Sequence, residues 1–328
     1  IGRGDVVFEN RLPSGDIVPR MVTYNQAPSG CTFFASNLNN SDRGLPIISS
    51  DGVYEYVNGR FVERFKLCTG CYISVADLNP NYEGKELVAT GGGFFRIFNS
   101  NGQIISNKNL AEHYAEDRCE RTANDVVTLH IGGGAATIGN FDSDPSTMEI
   151  AVATGKSLTV FDWQGNKLAG SRTTDCTSLS TGLTSFDFNG DGLPEILYGD
   201  ENYFRVYTVT PGQRDLNVIW SIENTSGTLN EYPVVADLNR DWSPEILVVS
   251  NNYQYHSLSG NNGLRIFSAA KEQGVWMPTR DIWNQHQYMI SNVTDRLRAT
   301  ASTGHSDAIS KNFRRNLPSS VELSCRIN

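Results

Sequence analysis

Four short apolar runs recur along the chain, each opened by a glutamate. They are Glu86-Leu87-Val88-Ala89, Glu149-Ile150-Ala151-Val152, Glu195-Ile196-Leu197-Tyr198 and Glu245-Ile246-Leu247-Val248. None shows a 3.6-residue apolar period, which excludes helical repeats. A second set of runs follows them in step: Phe94-Phe95-Arg96-Ile97-Phe98, Leu158-Thr159-Val160-Phe161, Tyr203-Phe204-Arg205-Val206-Tyr207 and Leu264-Arg265-Ile266-Phe267. These are β-branched and aromatic, and two lead into the turn pairs Asn101-Gly102 and Gln164-Gly165. A weaker copy starts at Asn37, with Asn39 and Ser41, and continues through Leu45-Pro46-Ile47-Ile48 and Val53-Tyr54-Glu55-Tyr56-Val57-Asn58-Gly59. Each unit therefore reads strand, polar loop, strand, turn, strand, hairpin, strand. Four strands in roughly 40 to 60 residues is the size of a propeller blade, and longer than the usual rung of a β-helix.

The expected fold is all-β, a β-propeller of four-stranded blades, with seven blades favoured and six as the runner-up. The recognisable units occupy about residues 30 to 285, and an open ring would leave sheet edges exposed. The strand-like stretches Asp5-Val6-Val7-Phe8 and Ile17-Val18, with Tyr288-Met289-Ile290 near the other end, are expected to close the ring jointly. Residues 1–328 are then one domain, since no linker separates independent parts.

The polar loop before each glutamate carries the candidate chemistry. The fullest copy is Asp187-Phe188-Asn189-Gly190-Asp191-Gly192-Leu193-Pro194-Glu195. Side-chain oxygens stand at positions 1, 3, 5 and 9, and Gly192 permits a sharp turn at position 6. Ca²⁺ takes six to eight oxygens, some of them backbone carbonyls, so the Leu193 carbonyl is a further candidate ligand. An EF-hand shares the first part of this spacing but puts its bidentate glutamate at position 12 between two helices. Here the last acid opens a strand, which points to a blade-borne loop. Asp237, Asn239, Asp241 and Glu245 repeat the spacing, with Trp242 where the first copy has glycine. Asn140, Asp142, Asp144 and Glu149 form an altered copy with one extra residue before the acid. So do Asp77, Asn79, Asn81 and Glu86. Two complete Ca²⁺ sites and up to four in all are expected; the Asn37 copy has no carboxylate at these positions. Asp and Asn also form turns without any metal, but their repetition at equivalent places favours ligation.

The pattern Asp-x-Asn-x-Asp-Gly-x-x-Glu-Ile after a small-apolar strand resembles the FG-GAP/VCBS repeat of integrin α-subunit propellers and bacterial surface proteins. The resemblance covers about residues 30 to 270. It implies a Ca²⁺-binding loop on a propeller, typically seven-bladed, with Asp187, Asn189, Asp191, Glu195, Asp237, Asn239, Asp241 and Glu245 as ligands. The FG-GAP dipeptide itself is absent, which places the resemblance with the VCBS-like, bacterial branch. The stretch Thr279-Arg280-Asp281-Ile282-Trp283-Asn284-Gln285-His286-Gln287-Tyr288 looks like a tail found after such repeats in bacterial secreted proteins.

Composition agrees. The 328 residues carry a net charge of −9, which suits a cation binder and gives a nucleic acid no basic run to dock on. No stretch of 18 apolar residues could span a bilayer. Six cysteines (Cys31, Cys68, Cys71, Cys119, Cys176 and Cys325) fit up to three disulfides in an oxidising compartment. Cys68-Thr69-Gly70-Cys71 has redox-motif spacing but precedes a strand-like run rather than a helix, so a short structural disulfide, or two separate ones, is expected. Three glycosylation sequons begin at Asn39, Asn224 and Asn292. Arg3-Gly4-Asp5 leads straight into an apolar run and reads as strand entry. The five histidines are scattered, and no nucleophile elbow or phosphate loop occurs. The expected role is a calcium-stabilised secreted or cell-surface module that binds an extracellular glycan or protein, with no catalytic residues assigned. A carbohydrate-active enzyme on the same fold, or a structural subunit of an extracellular polymer, are the alternatives.

Overall fold

The computed structural model describes residues 5–11, 17–23, 33–36, 38–39, 46–58, 60–110, 119–123, 126–130, 132–154, 156–175, 181–228, 231–252, 262–270, 276–292, 295 and 311–319. The chain is all-β and propeller-like. A hairpin of β1 (Asp5–Arg11) and β2 (Ile17–Thr23) comes first. A four-stranded antiparallel sheet follows, made of β3 (Phe33–Ala35), β4 (Ile47–Ser49), β5 (Gly52–Val57) and β6 (Arg60–Lys66). The second sheet holds β7 (Tyr72–Ala76), β8 (Glu86–Gly91), β9 (Phe94–Phe98) and β10 (Ile104–Asn109). A hairpin, β11 (Cys119–Ala123) and β12 (Val126–His130), interrupts the series of repeated sheets. The third sheet is β13 (Thr137–Gly139), β14 (Glu149–Thr154), β15 (Ser157–Phe161) and β16 (Lys167–Arg172). The fourth is β17 (Thr184–Phe186), β18 (Glu195–Gly199), β19 (Tyr203–Thr208) and β20 (Asn217–Glu223). The last, three-stranded among the described residues, is β21 (Val234–Ala236), β22 (Glu245–Ser250) and β23 (Gly263–Phe267).

The apolar runs are continuous because their strands are buried on both faces. Along β14, Ile150 and Val152 join a core shared with the second sheet, while Ala151 and Ala153 join a core shared with the fourth. Along β18, Ile196 and Tyr198 face back and Leu197 faces forward into a third core. Alternation thus feeds two interfaces rather than one core and one solvent face. Exposure grows outward: every residue of β14 is buried, whereas β20 is mostly exposed. The outer pairs β5–β6, β9–β10, β15–β16 and β19–β20 each carry a register shift, a local device that strengthens strand twist.

The first strands stand side by side, with β13 touching β7 and β17, and β17 touching β21. Ser74 donates to the Ala136 carbonyl at 3.3 Å, and the Thr137 and Ser185 hydroxyls lie 2.9 Å apart. Residues 311–319 run along this inner edge. Ile138 and Phe313 exchange backbone N–H···O bonds, and the Asn316 amide donates to the Val235 carbonyl at 2.9 Å.

The strand-like stretch at Tyr288 forms no strand. Trp283 stacks on the Tyr288 ring at 4.3 Å, and a 3-10 turn, Ile290–Asn292, follows. The Cys68–Cys71 disulfide is formed. Cys31, Cys176 and Cys325 lie outside the described residues, as do Asn37, Ser41, Arg3 and Gly4. Asn39 and Asn224 are buried, which blocks glycan attachment to either in the folded chain.

Candidate metal centre

The four acidic loops occupy one structural position. Each joins the first strand of a sheet to the second, and the last residue of the first strand pairs with the glutamate that opens the second. The pairs are Ala76 with Glu86, Gly139 with Glu149, Phe186 with Glu195, and Ala236 with Glu245. Shared register places all four glutamates at the same edge of their sheets.

Each glutamate is buried, and each spends Oε2 on the same backbone amide, that of loop position 2. Leu78, Phe141, Phe188 and Leu238 donate to Glu86, Glu149, Glu195 and Glu245 at 2.8, 2.7, 2.9 and 2.8 Å. Leu78 and Phe141 are themselves buried and anchor the loops on their sheets. Phe188 packs edge-to-face on Phe186 and Trp276, at 5.0 and 4.7 Å.

The remaining loop side chains fold the backbone inward. In the Asp187 loop, Asp187 accepts from the Gly190 and Gly192 amides at 2.7 and 2.9 Å. Asn189 accepts from the Asp191 amide, and Asp191 from the Leu193 amide, each at 2.8 Å. The Asp237 loop repeats these contacts. Asp237 accepts from the Asp241 and Trp242 amides, and Asp241 accepts from the Ser243 amide at 2.9 Å. The two altered loops keep only part of the set. Asn79 accepts from the Asn81 amide, Asn140 from the Ser143 amide, Asp142 from the Asp144 amide and Asp144 from the Ser146 amide. All seventeen candidate ligand residues named from sequence lie in these four loops or at their closing glutamates. Among the described residues no three His, Cys, Asp or Glu side chains are drawn into a closed ligand cluster. As placed, the loop aspartates accept from backbone amides instead of converging on one centre.

The free oxygens of the glutamates are the telling feature. Oε1 of Glu86, Glu149 and Glu245 is buried without a hydrogen-bond partner. Oε1 of Glu195 has only a long contact to the Asn189 amide, at 3.4 Å. Buried carboxylate oxygens are ordinarily satisfied, and leaving one bare costs about 1–3 kcal/mol or more. Burial, with the neighbouring loop aspartates, pushes Glu86 and Glu149 up to about 8 and Glu195 up to about 7, and raises Glu245. A cation in the loop would satisfy the oxygen and hold the carboxylate ionised.

Without a cation, these groups impose a definite pH dependence. Their folded pKa values lie above the unfolded one, so the folded state holds more protons and their contribution is full below about pH 4. It is lost as pH rises through 7 to 8. In chelator, the melting temperature should therefore fall between pH 5 and pH 8. A flat or rising profile over that range would show that these carboxylates are not held as described.

Two cations come from outside the sequence pattern. Arg315 is buried beside the Asp187 loop; burial pushes it down to about 10 against the pull of Asp187 and Glu195. Lys85 is buried beside Asp77, and burial lowers it to about 8 against the attraction of that carboxylate. Nothing in the local spacing marks Arg315, which lies more than a hundred residues away in sequence.

The turn itself explains the glycines. Gly190 and Gly192 have φ of 78° and 87°, and Arg240 and Trp242 occupy the same two places at 62° and 73°. The left-handed region costs a non-glycine residue about 1–2 kcal/mol. Trp242→Gly should therefore stabilise the fold by about 1 kcal/mol, and Gly192→Ala should destabilise it by a similar amount, both read from urea unfolding.

Residues 187–248, which hold both complete loops and the strands between them, match the FG-GAP-like repeat family. No curated protein matches the chain by sequence. Among solved structures, the Vibrio cholerae biofilm matrix protein Bap1 superposes with a TM-score of 0.68 at 16% identity, over 96% of this chain and 77% of that one. The likeness shows the fold. A protein of unknown function from Bacteroides caccae matches at a TM-score of 0.33 and 11% identity, over 84% of this chain and 89% of that one. BBS1N, solved in complex with ARL6DN, matches at 0.36 and 10%, over 78% and 85%.

Proposed function

We propose that the FG-GAP-like repeat chain is a calcium-stabilised extracellular module for adhesion or matrix assembly. The observation that carries the metal reading is the buried, unpartnered Oε1 at the same place in three loops. Asp187, Asn189, Asp191, the Leu193 carbonyl and Glu195 would hold one Ca²⁺, and Asp237, Asn239, Asp241 and Glu245 a second. Asn140, Asp142, Asp144 and Glu149 would hold a weaker ion. Asp77, Asn79, Asn81 and Glu86 form the least favourable site, because only Asp77 and Glu86 bring carboxylates to it. The ion's contribution is positive charge and oxygen coordination; the loops supply shape and exclude water from the glutamates.

The extracellular reading draws on the formed Cys68–Cys71 disulfide, which suits an oxidising compartment. The fold shared with a biofilm matrix protein favours a role among extracellular glycans or proteins. No helix among the described residues is long and apolar enough to cross a membrane. Five repeated sheets, with the terminal segments supplying the rest, would give a closed seven-bladed ring and one domain.

Isothermal titration of CaCl₂ into chelator-stripped protein tests the metal reading. At least two ions should bind, and Asp187→Ala combined with Asp237→Ala should remove both tight events. MgCl₂ should give no comparable heat, because Mg²⁺ demands a stricter octahedron. Absence of calcium heat in the wild type would overturn the proposal.

A further inference from the structure

A cleft of about 500 Å³ opens beside the Asp237 loop, a volume within the ordinary range for small-ligand sites. One wall is the loop itself, through Arg240 and Trp242. The floor is Arg280 and Asp281, and the far wall is residues 317–319. The geometry points to this cleft as a saccharide-binding site, with the Trp242 indole as its stacking platform.

Three observations converge. First, Trp242 is 58% exposed at the cleft. The equivalent residue in the Asp187 loop is glycine, so this loop accepts a left-handed tryptophan without recovering the cost by burying it. Strain of that kind collects at functional sites. Secondly, planar charged groups line the same cleft. Arg240 Nε lies 2.8 Å from Asp281 Oδ2, and Arg280 Nε lies 3.3 Å from Asp295 Oδ1. The Arg240–Asp281 pair keeps further guanidinium N–H donors and a carboxylate oxygen suited to vicinal hydroxyls, whereas Arg280 is already engaged, its Nη1 donating to the Ile290 carbonyl at 3.1 Å. Thirdly, the charges largely offset one another. Asp237, Asp281 and Asp295 face Arg240 and Arg280, which suits an uncharged ligand rich in hydroxyls. An indole face provides an apolar surface with a polar edge, the match for a sugar ring whose C–H groups lie on one side.

The floor is held independently of the ligand. Asp237 N–H donates to the Arg280 carbonyl at 3.2 Å, Thr279 donates to the Leu317 carbonyl at 2.8 Å, and Ser319 N–H to the Pro278 carbonyl at 2.6 Å. The inference deepens the proposed function and rests on it in one respect. Asp237 belongs both to the cleft and to a calcium loop, so calcium would fix the loop that carries Trp242.

A printed array of neutral and acidic oligosaccharides, probed with labelled protein in CaCl₂, tests the site. Wild type should be retained on neutral glycans. Trp242→Gly, which keeps a residue suited to the left-handed turn, should lose roughly ten-fold or more of that retention. Asp281→Asn should weaken it too, and Gln103→Ala, at an exposed turn of the second sheet, should not. Circular dichroism of Trp242→Gly shows that the loss is not unfolding. Failure of wild type to bind any glycan, retention on acidic glycans alone, or equal retention of Trp242→Gly would overturn the assignment. The two readings fail separately: calcium heat without glycan retention sinks the cleft alone, and Trp242-dependent retention without calcium heat sinks the metal alone.

Discussion

Removing calcium should lower the melting temperature by roughly 10 °C at pH 8. A ligand of the native state at 100 times its dissociation constant stabilises it by about 2.7 kcal/mol, so two filled loops contribute about 5 kcal/mol. For a chain of this size each kcal/mol moves the transition by roughly 2 °C or somewhat more. Asp187→Ala with Asp237→Ala should melt low in calcium and show almost no further drop in EDTA. The single variants should each recover about half of the calcium response, because the loops lie on separate sheets and share no ligand. Glu245→Gln is the sharper probe of mechanism. It removes the bare buried charge, so it should raise stability in EDTA while reducing the calcium response. An EDTA melt identical to the calcium melt in the wild type would end the metal reading.

The repeat was legible in the sequence because everything that defines it is local. A loop of alternating oxygen-bearing residues, an acid and an apolar run lie within about fifteen consecutive residues, and local chemistry dictates the turn. The strands at Glu86, Glu149, Glu195 and Glu245 fall where the apolar runs begin. The role of each glutamate was only half legible. Its position suggested a ligand, but its bond to the position-2 amide depends on the hairpin register. Arg315 and Lys85 were illegible for the reason that any cation reads as solvent-exposed until the fold buries it. Trp242 was visible as a departure from glycine, yet only its exposure and positive φ give that departure a meaning. The hairpin of Cys119 to His130 had no signal, since Glu120, Arg121 and Thr122 give no apolar alternation. Tyr288 misled in the other direction: its aromatic run packs against Trp283 and Asn316 instead of pairing as a strand.

Phe313→Ala should destabilise the fold by about 4 kcal/mol, an effect on the scale of losing both calcium ions. By sequence, Lys311-Asn312-Phe313-Arg314-Arg315-Asn316 is a polar surface segment with one aromatic residue. In the fold its middle four residues are all buried. Phe313 joins the core that contains Ile138 and pairs with that strand, so truncation leaves a cavity between the inner strands. Arg314 stands with its guanidinium 3.7 Å from the Tyr232 ring centre and donates to the Ala135 carbonyl at 3.3 Å. Asn316 accepts from Tyr288 at 2.5 Å and donates to the Val235 carbonyl. The segment therefore ties the third sheet to the fifth across the inner edge, with groups that would be costly to bury unbonded. Asn316→Ala strands three buried partners, the Tyr288 hydroxyl and the Val235 and Ile282 carbonyls, and should cost about 2–3 kcal/mol. Gly182→Ala should do similar harm from the opposite side, because a methyl there would lie 2.0 Å from Arg314 Nη1. Urea unfolding of the three variants in saturating calcium separates this contribution from the metal's. If Phe313→Ala unfolds at the wild-type midpoint, residues 311–319 do not hold the sheets together.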